Sequence, residues 1–138
     1  RSKPRIAAKA RELFSLVHLD ERAQTRTSAQ VSGGEAQRAS IVRALINDPE
    51  LVFADEPTGA LNSHNSQAVL DVFCTLHTNG QSIVMVTHDR HSALRANRVL
   101  YLRDGAIAGE CTLGAWDGNE PYGEREHTLA VFLNEMGW

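Results

Sequence analysis

The sequence predicts an α/β fold of parallel strands joined by crossover helices. Three observations carry that expectation. Leu51-Val52-Phe53-Ala54 is a short continuous apolar run, the pattern of a strand buried on both faces. Ser82 to Thr87 is a second such run, rich in β-branched residues. Between them, Asn62 to Thr78 carries Val69, Val72, Phe73 and Leu76 at helical spacing and closes on Asn79-Gly80. Strand, helix, strand in that order implies a right-handed crossover between parallel neighbours.

The other elements follow from the same rules. Pro4 to Leu19 is predicted helical, with Pro4 in the first turn and Ile6, Ala10, Leu13, Phe14 and Val17 on one face. A polar loop, Asp20 to Gln30, separates it from a second helix over Gly34 to Asn47, which Asp48-Pro49 stops. Asp89 is a natural N-cap for a short helix from Arg90 to Ala96. Val99–Leu102 and Ala106–Cys111 flank Asp104-Gly105, the dipeptide of a two-residue hairpin turn. After a glycine-rich loop over Thr112 to Gly123, Glu124 to Met136 is a last helix, with Leu129, Phe132, Leu133 and Met136 on one face.

Composition excludes several function classes. Of 138 residues, 42% are hydrophobic and 22% charged, a globular balance. The formal charge of -3 leaves no general attraction to nucleic acid or an anionic membrane, so no nucleic-acid partner is expected. The longest apolar runs, such as Ile83-Val84-Met85-Val86, are too short to span a bilayer. No charged-then-apolar leader is seen, and the opening at Arg1 rather than a methionine suggests a piece of a longer chain. Cys74 and Cys111 fit no metal or redox spacing and are expected to be plain reduced residues. Trp116, Tyr122 and Trp138 are expected to be packing residues.

Three short segments could carry chemistry. Val31-Ser32-Gly33-Gly34-Glu35 opens a helix, and Ser32 with Glu35 has the spacing of a capping box. The cap leaves the paired glycines unexplained. Glycine permits close approach of backbone to something else, and a helix N-terminus suits a phosphate. Leu51 to Glu56 ends in two carboxylates at the C-terminal end of a strand, where ligands bind in open α/β sheets. Side chains alternate along a strand, so Asp55 and Glu56 take different roles: one can hold Mg²⁺ and the other can activate water. A solvated loop explains the same residues. Thr87-His88-Asp89 ends the next strand and is either a helix entrance or, if the two strands are neighbours, a histidine beside Asp55 and Glu56 within reach of a phosphate oxygen.

In this order, these pieces resemble the ATP-binding-cassette (ABC) transporter ATPases. Val31–Glu35 is similar to that family's signature motif, Leu51–Glu56 to its Walker B strand with the catalytic glutamate, Pro57–Asn62 to its D-loop and His88 to its switch histidine. Gln37-Arg38, Arg43-Ala44-Leu45 and Asp48-Pro49 fit the intervening helix, and Arg98-Val99 with Arg103-Asp104-Gly105 fits the late hairpin, so the likeness covers about Gln30 to Glu110. Glu35 and the string Ala54 to Leu61 look most like the lipoprotein-release, macrolide and peptide-export group.

The resemblance implies a partial P-loop-NTPase-like ABC fold. Residues 1–48 would be part of the helical subdomain, 49–111 the second half of the catalytic core, and 112–138 a C-terminal loop and helix. It implies ATP and Mg²⁺ as cofactors. Asp55 would support Mg²⁺ through water, Glu56 would polarise the attacking water and His88 would contact the γ-phosphate. Ser32, Gly33, Gly34 and Glu35 would meet ATP bound to a second ABC domain in a head-to-tail dimer. A transmembrane permease would be the other partner, placing the chain in the cytoplasm against the inner face of the membrane.

Two departures qualify the likeness. No glycine is followed by lysine, so the Walker A loop is missing, as is the Q-loop. The chain thus looks like the second half of a cassette, expected to be inactive alone and to need an upstream half carrying Walker A. The D-loop position usually held by aspartate is Asn62. The competing reading is a free-standing, non-catalytic half-cassette that acts as a binding module. A soluble ABC protein of translation or repair would usually show paired cassettes, and an unrelated metal hydrolase leaves the glycine pair without a role.

Overall fold

The computed structural model describes residues 3–20, 31–118 and 123–138. These divide into two compact units, Arg1–His88 and Asp89–Trp138. Most of the loop expected at residues 20–30, and Tyr122, lie outside the described residues.

The first unit contains α1 (Lys3–Leu16), α2 (Gly33–Leu45), β1 (Leu51–Asp55), α3 (Ser63–Thr78) and β2 (Ser82–Val86). Pro4 occupies the first turn of α1, where its missing N–H costs nothing. Leu13 and Val17 are buried, whereas Ile6, expected on the same stripe, is 43% exposed. The Lys9 ammonium, midway along α1, pairs with Asp48 just beyond the end of α2. Asp48 has φ 54°, which breaks helical geometry ahead of Pro49.

β1 and β2 run parallel, with Leu51 opposite Ser82, Phe53 opposite Val84 and Asp55 opposite Val86. The expected neighbours are thus neighbours, linked through α3. Val52 and Ala54 turn into a core with Val69, Val72, Phe73 and Leu76 of α3 and with Ile41, Val42 and Leu45 of α2. Each of these side chains larger than alanine, withdrawn from water, stabilises the unit by about 1.5–3 kcal/mol. Burial on both faces does not hold. Along β1, exposed and buried residues alternate, and Phe53 is 73% exposed. β2 alternates likewise, with Val84 and Val86 on the open side. The α3 crossover covers one face of the sheet, and among the described residues of this unit nothing covers the other.

The second unit contains α4 (Arg90–Leu94), β3 (Arg98–Arg103), β4 (Ala106–Thr112) and α5 (Glu124–Met136). β3 does not extend the parallel sheet; it pairs antiparallel with β4, with an irregularity between Tyr101 and Leu102. Asp104 and Gly105 both have positive φ, 51° and 78°, as a type I′ turn requires. Leu94, Cys111, Leu129, Phe132 and Leu133 form the core. α5 comes close to β4 because residue 109 is glycine: a Cβ there would lie 2.5 Å from Met136 Sδ and 3.1 Å from Phe132. Gly137, in the left-handed conformation, closes α5.

Arg125 organises this unit. Its guanidinium donates to the carbonyls of Leu94 (2.6 Å), Ala96 (2.6 Å), Leu113 (2.7 Å) and Gly114 (3.1 Å). These are the ends of α4 and β4, so one side chain gathers three elements. Trp116 lies near both Arg95 and Arg125, at 5.6 and 5.7 Å from ring centroid to guanidinium carbon. Trp138, expected to pack, is instead half-exposed beside Arg90. Neither cysteine is in a disulfide, and burial raises the Cys111 thiol pKa. Among the described residues, no helix is long and apolar enough to cross a membrane.

Candidate functional site

Two clusters, both in the first unit, hold the residues singled out above. The first lies at the C-terminal ends of β1 and β2. The Glu56 N–H donates to Val86 O (2.8 Å), which carries the sheet ladder one residue past β1. The chain then turns sharply. Glu56 has φ 44°, a left-handed conformation that costs a non-glycine residue about 1–3 kcal/mol. Gly59 N–H returns to Glu56 O (3.1 Å), closing the turn expected at Pro57-Thr58-Gly59.

This reversal folds the Glu56 carboxylate back over the end of β2. Oε1 accepts from His88 N–H (2.9 Å) and lies 2.7 Å from His88 Nδ1. Oε2 accepts from Thr87 Oγ1 (3.4 Å). An ionised carboxylate only accepts, so this contact requires the His88 tautomer protonated at Nδ1, with Nε2 as the other ring nitrogen. The ring is 80% exposed. If Nε2 is also to donate to a phosphate oxygen, the imidazole must be doubly protonated.

Asp55 goes elsewhere. It shares the open face of the sheet with Phe53, opposite Val86, and is exposed. Among the described residues, no group of three or more His, Cys, Asp or Glu is arranged to hold a metal ion. The carboxylate oxygens of Asp55 and Glu56 are of the hard-donor type that Mg²⁺ takes, and Asp55 would be the exposed one available to it.

The second cluster is the paired starts of α2 and α3. The capping box forms as expected: Ser32 Oγ accepts from Glu35 N–H (3.2 Å) and Glu35 Oε2 from Ser32 N–H (2.8 Å). Asn62 caps α3, its Oδ1 accepting from Asn65 N–H (2.9 Å). Its amide does here what an aspartate would also do. Gly33 and Gly34 lie against α3 and the turn before it: a Cβ on Gly33 would meet Leu61 at 3.4 Å, and one on Gly34 would meet Asn65 at 2.7 Å.

Asn65 was not singled out from the sequence. Its signal is the Asn62-x-x-Asn65 spacing, which marks a cap but says nothing of α2. Asp89 caps α4 through Ser92 N–H (2.8 Å) and Ser92 Oγ (2.7 Å). Burial raises its pKa, but the bonds from Ser92 and His91 outweigh that and hold it below the ordinary carboxylate value.

A family model described as ABC transporter matches residues 2–59. The macrolide export ATP-binding/permease protein MacB of Mannheimia succiniciproducens is 47% identical over 100 residues, covering 72% of this chain and 15% of that protein. The lipoprotein-releasing system ATP-binding protein LolD of Aquifex aeolicus is 46% identical over 112 residues, covering 80% of this chain and 50% of the relative. A dimeric post-hydrolysis structure of the ATP-binding cassette MJ0796, bound to ADP and Pi, matches with a TM-score of 0.71 and 34% identity, covering 84% of this chain and 50% of that one. The chain thus spans half or less of the length of these proteins. The chain belongs to the ABC transporter family, and the relatives it matches include proteins named for macrolide export and lipoprotein release.

Proposed function

We propose that this chain is part of the ATP-hydrolysing subunit of an ABC exporter. In this reading residues 1–48 belong to the helical subdomain, 49–111 to the catalytic core and 112–138 to a C-terminal appendage, and an upstream half carries Walker A. The observation that carries the reading is the Glu56 carboxylate held at the ends of two adjacent parallel strands by His88 N–H and Nδ1.

Glu56 orients and polarises the attacking water, taking up its proton. His88 fixes that carboxylate and presents its outer nitrogen to the γ-phosphate. Asp55, on the open sheet face, supports Mg²⁺ through water; when bound, the ion neutralises charge on the phosphates. Ser32, Gly33, Gly34 and Glu35 face ATP held by a second ABC domain, where free N–H groups at the start of α2 suit an anion. Asn62 links the D-loop to α3. Support for a dimer comes from the dimeric cassette relative. Support for a permease partner, and so for a place at the cytoplasmic face of a membrane, comes from the joint ATP-binding/permease name of the macrolide relative.

Mg²⁺-dependent ATP hydrolysis by the full-length protein tests this reading. Glu56→Gln is expected to lower turnover by about 10²–10⁴-fold while ATP still binds. Wild-type turnover in that variant overturns the assignment. The 138-residue chain alone is expected to show no tight Mg²⁺-dependent binding of a fluorescent ATP analogue.

A further inference from the structure

The paired glycines of α2 admit two explanations: close approach of a nucleotide, or close approach of this chain's own atoms. The structure supplies the second for Gly34. Gly34 is buried, and a Cβ built on it would stand 2.7 Å from Asn65 Cγ, 2.8 Å from Asn65 Oδ1 and 3.0 Å from Asn65 Cβ. No real Cβ tolerates the first two distances. The Asn65 backbone is held by the bond from its N–H to Asn62 Oδ1 (2.9 Å), so a Cβ at position 34 has to be accommodated by displacing the Asn65 side chain or the first turn of α2. Gly33 differs, since its Cβ would make only ordinary contact with Leu61 at 3.4 Å.

We propose that Asn65 is a positioning residue for the Ser32–Glu35 turn: its side chain occupies the space that a side chain at position 34 would need, and so sets where the first turn of α2 stands against the first turn of α3. The capping box makes that turn one unit, because Ser32 and Glu35 hold each other through two bonds. A push on Gly34 therefore moves the Ser32 hydroxyl and the free N–H groups together. The consequence for ATP depends on the nucleotide-facing role proposed above for this turn.

The test is the ATP dependence of hydrolysis by the full-length protein and five variants: Ser32→Ala, Gly34→Ala, Asn65→Gly, Gly34→Ala with Asn65→Gly, and Gly34→Ala with Asn65→Ala. Thermal melts confirm folding. Gly34→Ala is expected to raise KM for ATP about tenfold with a smaller change in kcat, since a misplaced contact weakens ligand engagement first. Asn65→Gly, which removes all three clashing atoms, is expected to restore most of the loss, and Asn65→Ala less of it. Recovery of this kind identifies the pair as coupled when Asn65→Gly alone does not lower KM.

Three results overturn the proposal. If Gly34→Ala remains impaired whatever stands at 65 while Ser32→Ala also raises KM, the ligand itself needs the glycine, and the nucleotide role of the turn survives. If coupling appears in the melts but KM is unmoved, the contact is structural only. If neither Ser32→Ala nor Gly34→Ala moves KM, the nucleotide role of the turn fails as well.

Discussion

His88 holds the Glu56 carboxylate twice, once through its backbone N–H at 2.9 Å and once through Nδ1 at 2.7 Å, both on the same oxygen. The backbone bond is open to every residue at 88 except proline, whereas the ring bond needs the imidazole. His88→Ala thus separates placing the carboxylate from presenting the imidazole. In the full-length protein, we expect ATP turnover to fall by about 10²-fold or more, with little change in melting temperature because the ring is 80% exposed. A melting shift as large as the activity loss implies would show that the ring serves structure instead.

Asp89 gives the second unit an acid-sensitive cap. Its pKa is lower folded than unfolded, so its contribution is present above the ordinary carboxylate range and is lost as pH falls through the lowered folded value. The cap is worth about 1 kcal/mol. Asp89→Asn keeps the acceptor and removes the titration, so urea melts at several pH values should show a flatter acid limb with near-neutral stability retained. An unchanged acid limb would place the pH dependence elsewhere.

Arg125 is expected to be the most costly single loss in the second unit. Arg125→Ala leaves the carbonyls of Leu94, Ala96 and Leu113 without their guanidinium donor, and should destabilise by about 2–4 kcal/mol. Arg125→Lys should recover little, because an ammonium cannot reach around the same set. Trp116 fluorescence reports the change locally, since Arg125 sits 5.7 Å from that ring. A variant as stable as wild type would show that backbone packing alone holds the unit.

The open face of the β1–β2 sheet makes the 138-residue chain adhesive. Leu51, Phe53, Val84 and Val86 are all more than 40% exposed and share one side of the sheet. Light scattering of the isolated chain should reveal self-association that Phe53→Ser with Val86→Ser reduces. A stable monomer with a cooperative melt would contradict this.

What the sequence made legible was mostly local. Asp104-Gly105 requires positive φ and has it, Ser32 and Glu35 form their reciprocal cap, and α5 runs over the residues its stripe marked. The adjacency of Glu56 and His88 was also within reach, because two apolar runs separated by one helix have few other ways to pair. The one-sided burial of β1 was not. An apolar run states that a face tolerates burial, not what stands against it. Nor were Arg125 or Asn65 legible, since each acts on partners far along the chain that no periodicity points to.

On the role proposed for Glu56, its left-handed turn sets thermal endurance against turnover at one position. Glycine there would relax the backbone, and asparagine would sit in it with less strain. Either would surrender the carboxylate that His88 grips. A library selected only for survival on heating should drift toward those residues at 56, whereas one selected for ATP consumption should retain glutamate at a standing cost in stability.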